Sequence, residues 1–231
     1  MRTFQEQNYL SVVIPTLDAA AVLAQALAAL HPSPIVREIV VADGGSRDET
    51  LAVAHAGGCR VVTAGRGRGT QLRAGAAAAM GDWLLFLHAD CRLPRGWDAA
   101  VDVFVMAEGA CGRAGYFDLG LDDPVPAARR LERLVAWRCR NLALPYGDQG
   151  LLISRTLYDA VGGFAPIPLM EDVDLARRLG RRRLARLGMP CLASASRYNS
   201  GGYWRRPARN LFCLALYFAG VAPARIARLY G

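Results

Sequence analysis

Apolar residues in this chain gather in short continuous runs, each closing on polar or glycine-rich sequence. Residues 9–15 (YLSVVIP), 38–42 (EIVVA), 60–63 and 83–87 (WLLFL) read as strands. Between them, residues 19–30, 48–56 and 70–80 carry helical patterns. Strands with no polar face are covered on both sides, so repeated strand–helix units predict a parallel sheet flanked by helices. After Leu93 the spacing predicts a helix over 97–108, a strand over 112–119 and a helix over 127–141, with the proline-rich loop 121–126 between the last two. A turn (PYGDQG), a strand over 151–154, a helix over 155–161 and a helix starting near Glu171 follow. From Tyr203 onward the chain reads as a basic amphipathic helical tail broken at Pro223. The class is α/β, with a Rossmann-like, mostly parallel sheet in a single domain over 1–231.

Composition narrows this picture in two ways. The formal charge of +8 comes entirely from arginine, since all 28 basic residues are arginine. Guanidinium forks suit phosphate, which admits a nucleotide diphosphate, an anionic lipid surface or nucleic acid. The six cysteines, at 59, 91, 111, 139, 191 and 213, form no metal-ligand spacing and are expected as reduced core residues. Residues 1–8 lack signal-peptide architecture, and the apolar stretch 211–222 is about half a bilayer span. A cytoplasmic location is expected, with the inner membrane surface as an alternative site.

In parallel α/β sheets, ligands bind beyond the carboxyl ends of the strands. Three ends here present chemistry: Pro15-Thr16-Leu17-Asp18, Asp43-Gly44-Gly45-Ser46 and His88-Ala89-Asp90. Asp43, between an apolar strand and a glycine pair, is placed to accept bonds from a ribose or base. Asp90 ends an apolar strand, so its carboxylate must be solvated, paired or cation-bound, and Mg²⁺ or Mn²⁺ held partly by substrate phosphates fits. His88 reads as a structural residue more readily than as a metal ligand. Ser46-Arg47-Asp48-Glu49 matches a capping box, which makes Asp48 and Glu49 structural. The segment 65–73 (GRGRGTQLR), with Arg66, Arg68, Gly69 and Gln71, offers backbone N–H groups and arginines ahead of a helix, an arrangement suited to a diphosphate. Glu171 and Asp172 lie at a helix start, where a helix-capping role competes with a catalytic one.

These segments together resemble family 2 of the nucleotide-sugar glycosyltransferases, in a compact bacterial subgroup with an H-A-D triplet. SVVIPTLDAA, EIVVADGGSRDET and LLFLHADCRLP are similar to its nucleotide-binding half, and YGDQGLLISR, VGGF and MEDVDLARRL to its acceptor half. The resemblance implies a GT-A fold, with a nucleotide-sugar half over about 9–95, an acceptor half over about 96–200 and a tail over 201–231. It implies inverting transfer from a nucleotide-sugar donor to an unidentified acceptor. Pro15, Thr16 and Asp43 would contact the nucleoside, together with Asp18, Gly44, Arg66, Arg68, Gly69, Gln71, His88 and Ala89 on the donor side. Asp90 would hold the metal, Asp172 of the Glu171-Asp172 pair would be the general base, and Gly147, Asp148 and Gln149 would lie on the acceptor side. Two positions depart from the family pattern: His88 replaces the first acid of D-x-D, and Asp18-Ala19 stands where Asn-Glu is frequent.

A sugar-phosphate nucleotidyltransferase is the nearest rival, through GRGTQL at 67–72, but that loop belongs after the first strand rather than the third. An arginine-rich nucleic-acid module would explain the charge and leave Asp43, Asp90 and Asp172 unexplained, so no nucleic-acid partner is expected. For the tail, two settings stay open: contact with an anionic bilayer, or packing on the core or in a homodimer.

Overall fold

Residues 10–31, 33–196, 198 and 202–230 are described by the structure, a computed structural model. Tyr9, first in the expected opening strand, lies outside the described residues. Strand β1 (Leu10–Thr16) is the hub of the sheet. Its Leu10, Val12, Val13 and Ile14 are fully buried, as a strand with neighbours on both edges and helices on both faces requires. β1 runs parallel to β2 (Val36–Asp43) and to β4 (Trp83–Phe86), and β2 runs parallel to β3 (Arg60–Thr63). The helices α1 (Ala20–Leu30), α2 (Thr50–Ala56) and α3 (Arg68–Ala78) connect them. This half follows the expected pattern, with α3 beginning two residues earlier than its spacing suggested.

The other half is mixed. Strand β5 (Cys91–Arg92) precedes α4 (Trp97–Val105), β6 (Ala114–Leu121), α5 (Pro126–Leu142) and β7 (Leu151–Ser154). Then come α6 (Arg155–Ala160), α7 (Glu171–Leu179) and β8 (Leu184–Ala193). The sheet order is β3-β2-β1-β4-β7-β6-β8-β5, with β7 antiparallel to β4 and β6, and β8 parallel to β6 and antiparallel to β5. β5 and β8 were not expected from the pattern. β6 begins at Ala114 rather than Gly112, which belongs to a 3₁₀ turn over Ala110–Gly112. Pro126 occupies the first turn of α5, where its missing N–H costs nothing.

Helices α1, α4 and α5 cover one sheet face through Leu23, Leu27, Val101, Leu131 and Val135. Helices α3, α6 and α7 cover the other through Leu72, Leu157, Leu175 and Leu179. Arg155 fastens the start of α6 to the β4 side, donating to the carbonyls of Gly81, Ala76 and Ala79. The tail forms α8 (Arg205–Phe218) and α9 (Pro223–Tyr230). Its Cys213, Leu214 and Ile226 pack on Met170, Val173 and Ala176 of α7 and its cap. Of the six free cysteines, Cys111 is exposed, against the expectation that all are core residues. No helix among the described residues is long and apolar enough to cross a membrane.

Candidate active site

Register brings the carboxyl ends of β1, β2 and β3 level, pairing Thr16 with Asp43 and Asp43 with Thr63. Asp43 is buried there, and its carboxylate is taken up by the chain itself. Thr16 Oγ1 donates to it at 2.9 Å, as do the N–H groups of Gly45 and Ser46, and Ser46 Oγ adds a fourth bond. Burial alone would raise this carboxyl; the bonds from Ser46, Gly45 and Thr16 hold it below its ordinary range. Ser46 is therefore not the cap of α2, as the motif had suggested. Glu49 occupies the cap position, and Asp48 accepts from the N–H groups of Thr50 and Ala20. The buried Asp43 oxygen competes successfully for the Ser46 hydroxyl. Gln71 ties the same strand ends together, its Nε2 donating to the carbonyls of Thr16 at 2.6 Å and Ala42 at 3.1 Å. Gly44 is needed beside it, because an added Cβ would lie 2.9 Å from Gln71 Cδ.

One cleft opens on this floor, and a second adjoins it. The first is lined by Pro15, Thr16, Asp18, Arg66, Arg68, Gln71, His88, Ala89 and Asp90, among others. Asp18 is held in the left-handed region at φ 49° and accepts from the Arg47 N–H at 2.7 Å, which orients its loop. The second is lined by Tyr146, Gly147, Asp148, Glu171, Asp172, Tyr198, Arg206, Asn210 and Tyr230, among others. Arg68, His88 and Asp90 belong to both walls. A ligand spanning the two would cross those three side chains.

Acidic groups concentrate at the junction. Glu171 is 1% exposed, and neither of its oxygens accepts a hydrogen bond among the described residues. Its nearest cation is Arg68, with Nε 3.5 Å away. Burial pushes the Glu171 carboxyl up to about 7, against the pull of Arg68. Burial likewise pushes Asp148 up, opposed by Arg138, and Asp148 Oδ1 accepts no hydrogen bond among the described residues. Asp172 Oδ2 accepts from the Gly147 N–H at 2.9 Å, and Oδ1 from its own neighbour Val173 at 2.7 Å, which fixes the carboxylate at the start of α7.

His88, Asp90 and Cys91 bring one ligand atom each within 4.8 Å of one another, the one such cluster among the described residues. The Cys91 thiol lies against Cys191 and is fully buried, both of which push its pKa well up, so it remains a thiol and is a poor partner for a hard cation. A carboxylate with an imidazole beside it, open to a cleft, is a fitting partial set for Mn²⁺ or Mg²⁺, which take remaining ligands from water and phosphate. Gly147 is part of this arrangement, since a Cβ there would collide with His88 Nε2.

Some expected residues sit elsewhere. Asp43 and Gly44 form the floor beneath the first cleft rather than its lining. Gly69 is a packing residue: a Cβ would strike the carbonyl of Ala165 and come within 2.7 Å of that of Ile167. Gln149 points into the protein, bonded to Arg138, Tyr146 N, Cys139 and the Phe117 carbonyl. Arg138 also stacks on Tyr146, 3.4 Å from its ring centroid. Tyr198, just beyond β8, and Arg206, Asn210 and Tyr230 were not foreseen in a cleft, the last three because only the return of the tail over α7 brings them there.

The family described as glycosyl transferase family 2 matches residues 11–165. No curated protein sequence matches the chain. Among solved structures, glucosyl-3-phosphoglycerate synthase from Mycobacterium tuberculosis, with Mn²⁺, uridine diphosphate and glucosyl-3-phosphoglycerate, is 23% identical. That match covers 94% of this chain and 82% of the other at a TM-score of 0.63. The same synthase with Mn²⁺, uridine-diphosphate-glucose and glycerol 3-phosphate matches at 26% identity over 80% of this chain and 72% of the other, TM-score 0.58. A mannosyltransferase from Pyrobaculum calidifontis, with GDP-Man and Mn²⁺, is 18% identical, covering 88% of this chain and 62% of the other at a TM-score of 0.67.

Proposed function

The chain belongs to glycosyl transferase family 2, and from that premise we propose that it transfers a sugar from a nucleotide-diphosphate donor to an acceptor hydroxyl with inversion. The observation that carries this reading is the junction of two clefts at Arg68, His88 and Asp90. The donor nucleotide would occupy the cleft bounded by Pro15, Thr16 and Asp18, over the floor that Asp43, Gly44 and Gln71 hold in shape. Its diphosphate would meet Arg66, Arg68 and the start of α3, where free N–H groups and guanidinium charge favour an anion. Residues 9–95 would thus serve the donor and 96–200 the acceptor, with helices α8 and α9 of the tail closing the acceptor side.

A divalent cation held by Asp90, with His88 beside it, would supply Lewis-acid neutralisation of the leaving diphosphate. Arg68 adds fixed positive charge on the same side, and Glu171 orients that guanidinium. Asp172, fixed by Gly147 N–H, is the candidate base. It would take the acceptor hydroxyl proton as the new bond to the anomeric carbon forms and the bond to the diphosphate oxygen breaks. Gly147 and Asp148 would border the acceptor, while Gln149 braces their turn from behind.

A panel of nucleotide sugars tested by thermal shift with Mn²⁺ checks the reading. At a hundredfold excess over Kd, the matching donor adds about 2.7 kcal/mol, which for a chain of this size raises Tm by roughly 5–11 °C. Absence of a Mn²⁺-dependent shift with any uridine or guanosine diphosphate sugar would overturn it.

A further inference from the structure

Helix α8 has two faces with different partners. At 100° per residue, Arg206, Asn210, Cys213 and Leu214 share one side. Two of them line the second cleft, and the other two are buried against α7. On the opposite side, Trp204, Leu211, Phe212 and Phe218 are 77%, 66%, 58% and 52% exposed. Ala208, Ala215 and Ala219 are exposed with them, and all seven fall within an arc of about 120°. Leu229 of α9 is exposed as well. A contiguous apolar stripe of this kind marks a surface with a partner.

The charge around the stripe indicates which partner. No aspartate or glutamate follows Asp174, whereas twelve arginines do. Arg205 and Arg209 are exposed along one flank of the stripe, and Arg225 and Arg228 are exposed on α9. A two-fold dimer through this face would oppose two acid-free, arginine-bearing helices, because an isologous interface sets a patch against itself. An anionic bilayer complements it: the aromatic and aliphatic stripe enters the headgroup boundary while guanidinium groups meet lipid phosphates.

We propose that the outer face of α8 docks on an anionic membrane surface, so that the cleft lined by the inner face of the same helix opens at the level of the lipid headgroups. Resting on the proposed transfer reaction, this identifies the acceptor as a hydroxyl carried by a membrane-anchored molecule rather than by a freely diffusing one. Arg206, Asn210 and Tyr230 would meet it on the cleft side.

Flotation with vesicles of phosphatidylglycerol and phosphatidylcholine, at low and high salt, tests the docking. Wild-type protein is expected to float with anionic vesicles, with a blue shift of Trp204 emission that is absent in Trp204→Phe. The pair Leu211→Asp and Phe212→Asp, both outside the cleft lining, should lower partition by at least about tenfold. Arg205→Glu with Arg209→Glu should also weaken it and reduce its salt dependence. Unchanged melting temperatures would show that each variant folds. No flotation at low salt would overturn the proposal, as would flotation indifferent to the Leu211 and Phe212 changes. A wild-type dimer in sizing experiments that those same changes dissociate would assign the stripe to a second copy instead. Vesicle binding needs no donor, so failure of the transferase reading would leave this result separately legible.

Discussion

Replacing Glu171 by glutamine keeps the shape of a side chain that is 1% exposed and removes its titration. In the folded protein burial pushes this carboxyl to about 7, from an ordinary value of 4.5. A shift of that size corresponds to on the order of 3 kcal/mol, at about 1.4 kcal/mol per unit. The folded pKa is raised, so the contribution is fully present below about pH 4.5 and is lost as pH rises through about 7. Wild-type protein should therefore lose stability across that window through this group, whereas Glu171→Gln should not. The fixed cost of an amide beside Arg68 is the same at every pH, so the slope carries the test. Measured by thermal unfolding in chelator from pH 4 to 8, the Tm of the variant relative to wild type should climb by roughly 6–12 °C. A difference that stays flat or falls with pH would refute the claim that Glu171 sits in the fold as a poorly solvated acid.

Asp172→Asn should retain donor binding by calorimetry while turnover falls by about 10²-fold or more; near-normal turnover would reduce Asp172 to a tether for Gly147. Gly69→Ala should lower the urea midpoint by an amount worth about 1–3 kcal/mol, because rigid carbonyls of Ala165 and Ile167 occupy the space. An unchanged midpoint would mean that the 165–167 backbone yields easily.

The parallel half of the sheet was legible because β1, β4 and the second half of β2 are buried on both faces and announce themselves as largely apolar runs. Strand β8 was not, since Arg186 and Gly188 interrupt its run and only Cys191 and Ala193 of it are buried; its pairing with β6 supplies what its own pattern lacks. The strand-end acids were visible in the sequence, yet their orientation was not readable. Asp43 faces four donors of its own chain, and Asp90 faces the junction of the clefts. Gln149 illustrates the same limit, as its motif position suggested the acceptor while its amide is spent on Arg138 and Phe117. The amphipathic tail was visible as such, but which face packs and which stays open depends on α7, far away in sequence.

Asp90 stands at the centre of the proposed mechanism, and calorimetry of the identified donor on wild type and Asp90→Ala, each with Mn²⁺ and with chelator, tests it most directly. Wild-type protein should bind the donor tightly with Mn²⁺ and lose affinity in chelator, while Asp90→Ala should bind weakly in both. Equal donor affinity in all four measurements would contradict a metal site at Asp90.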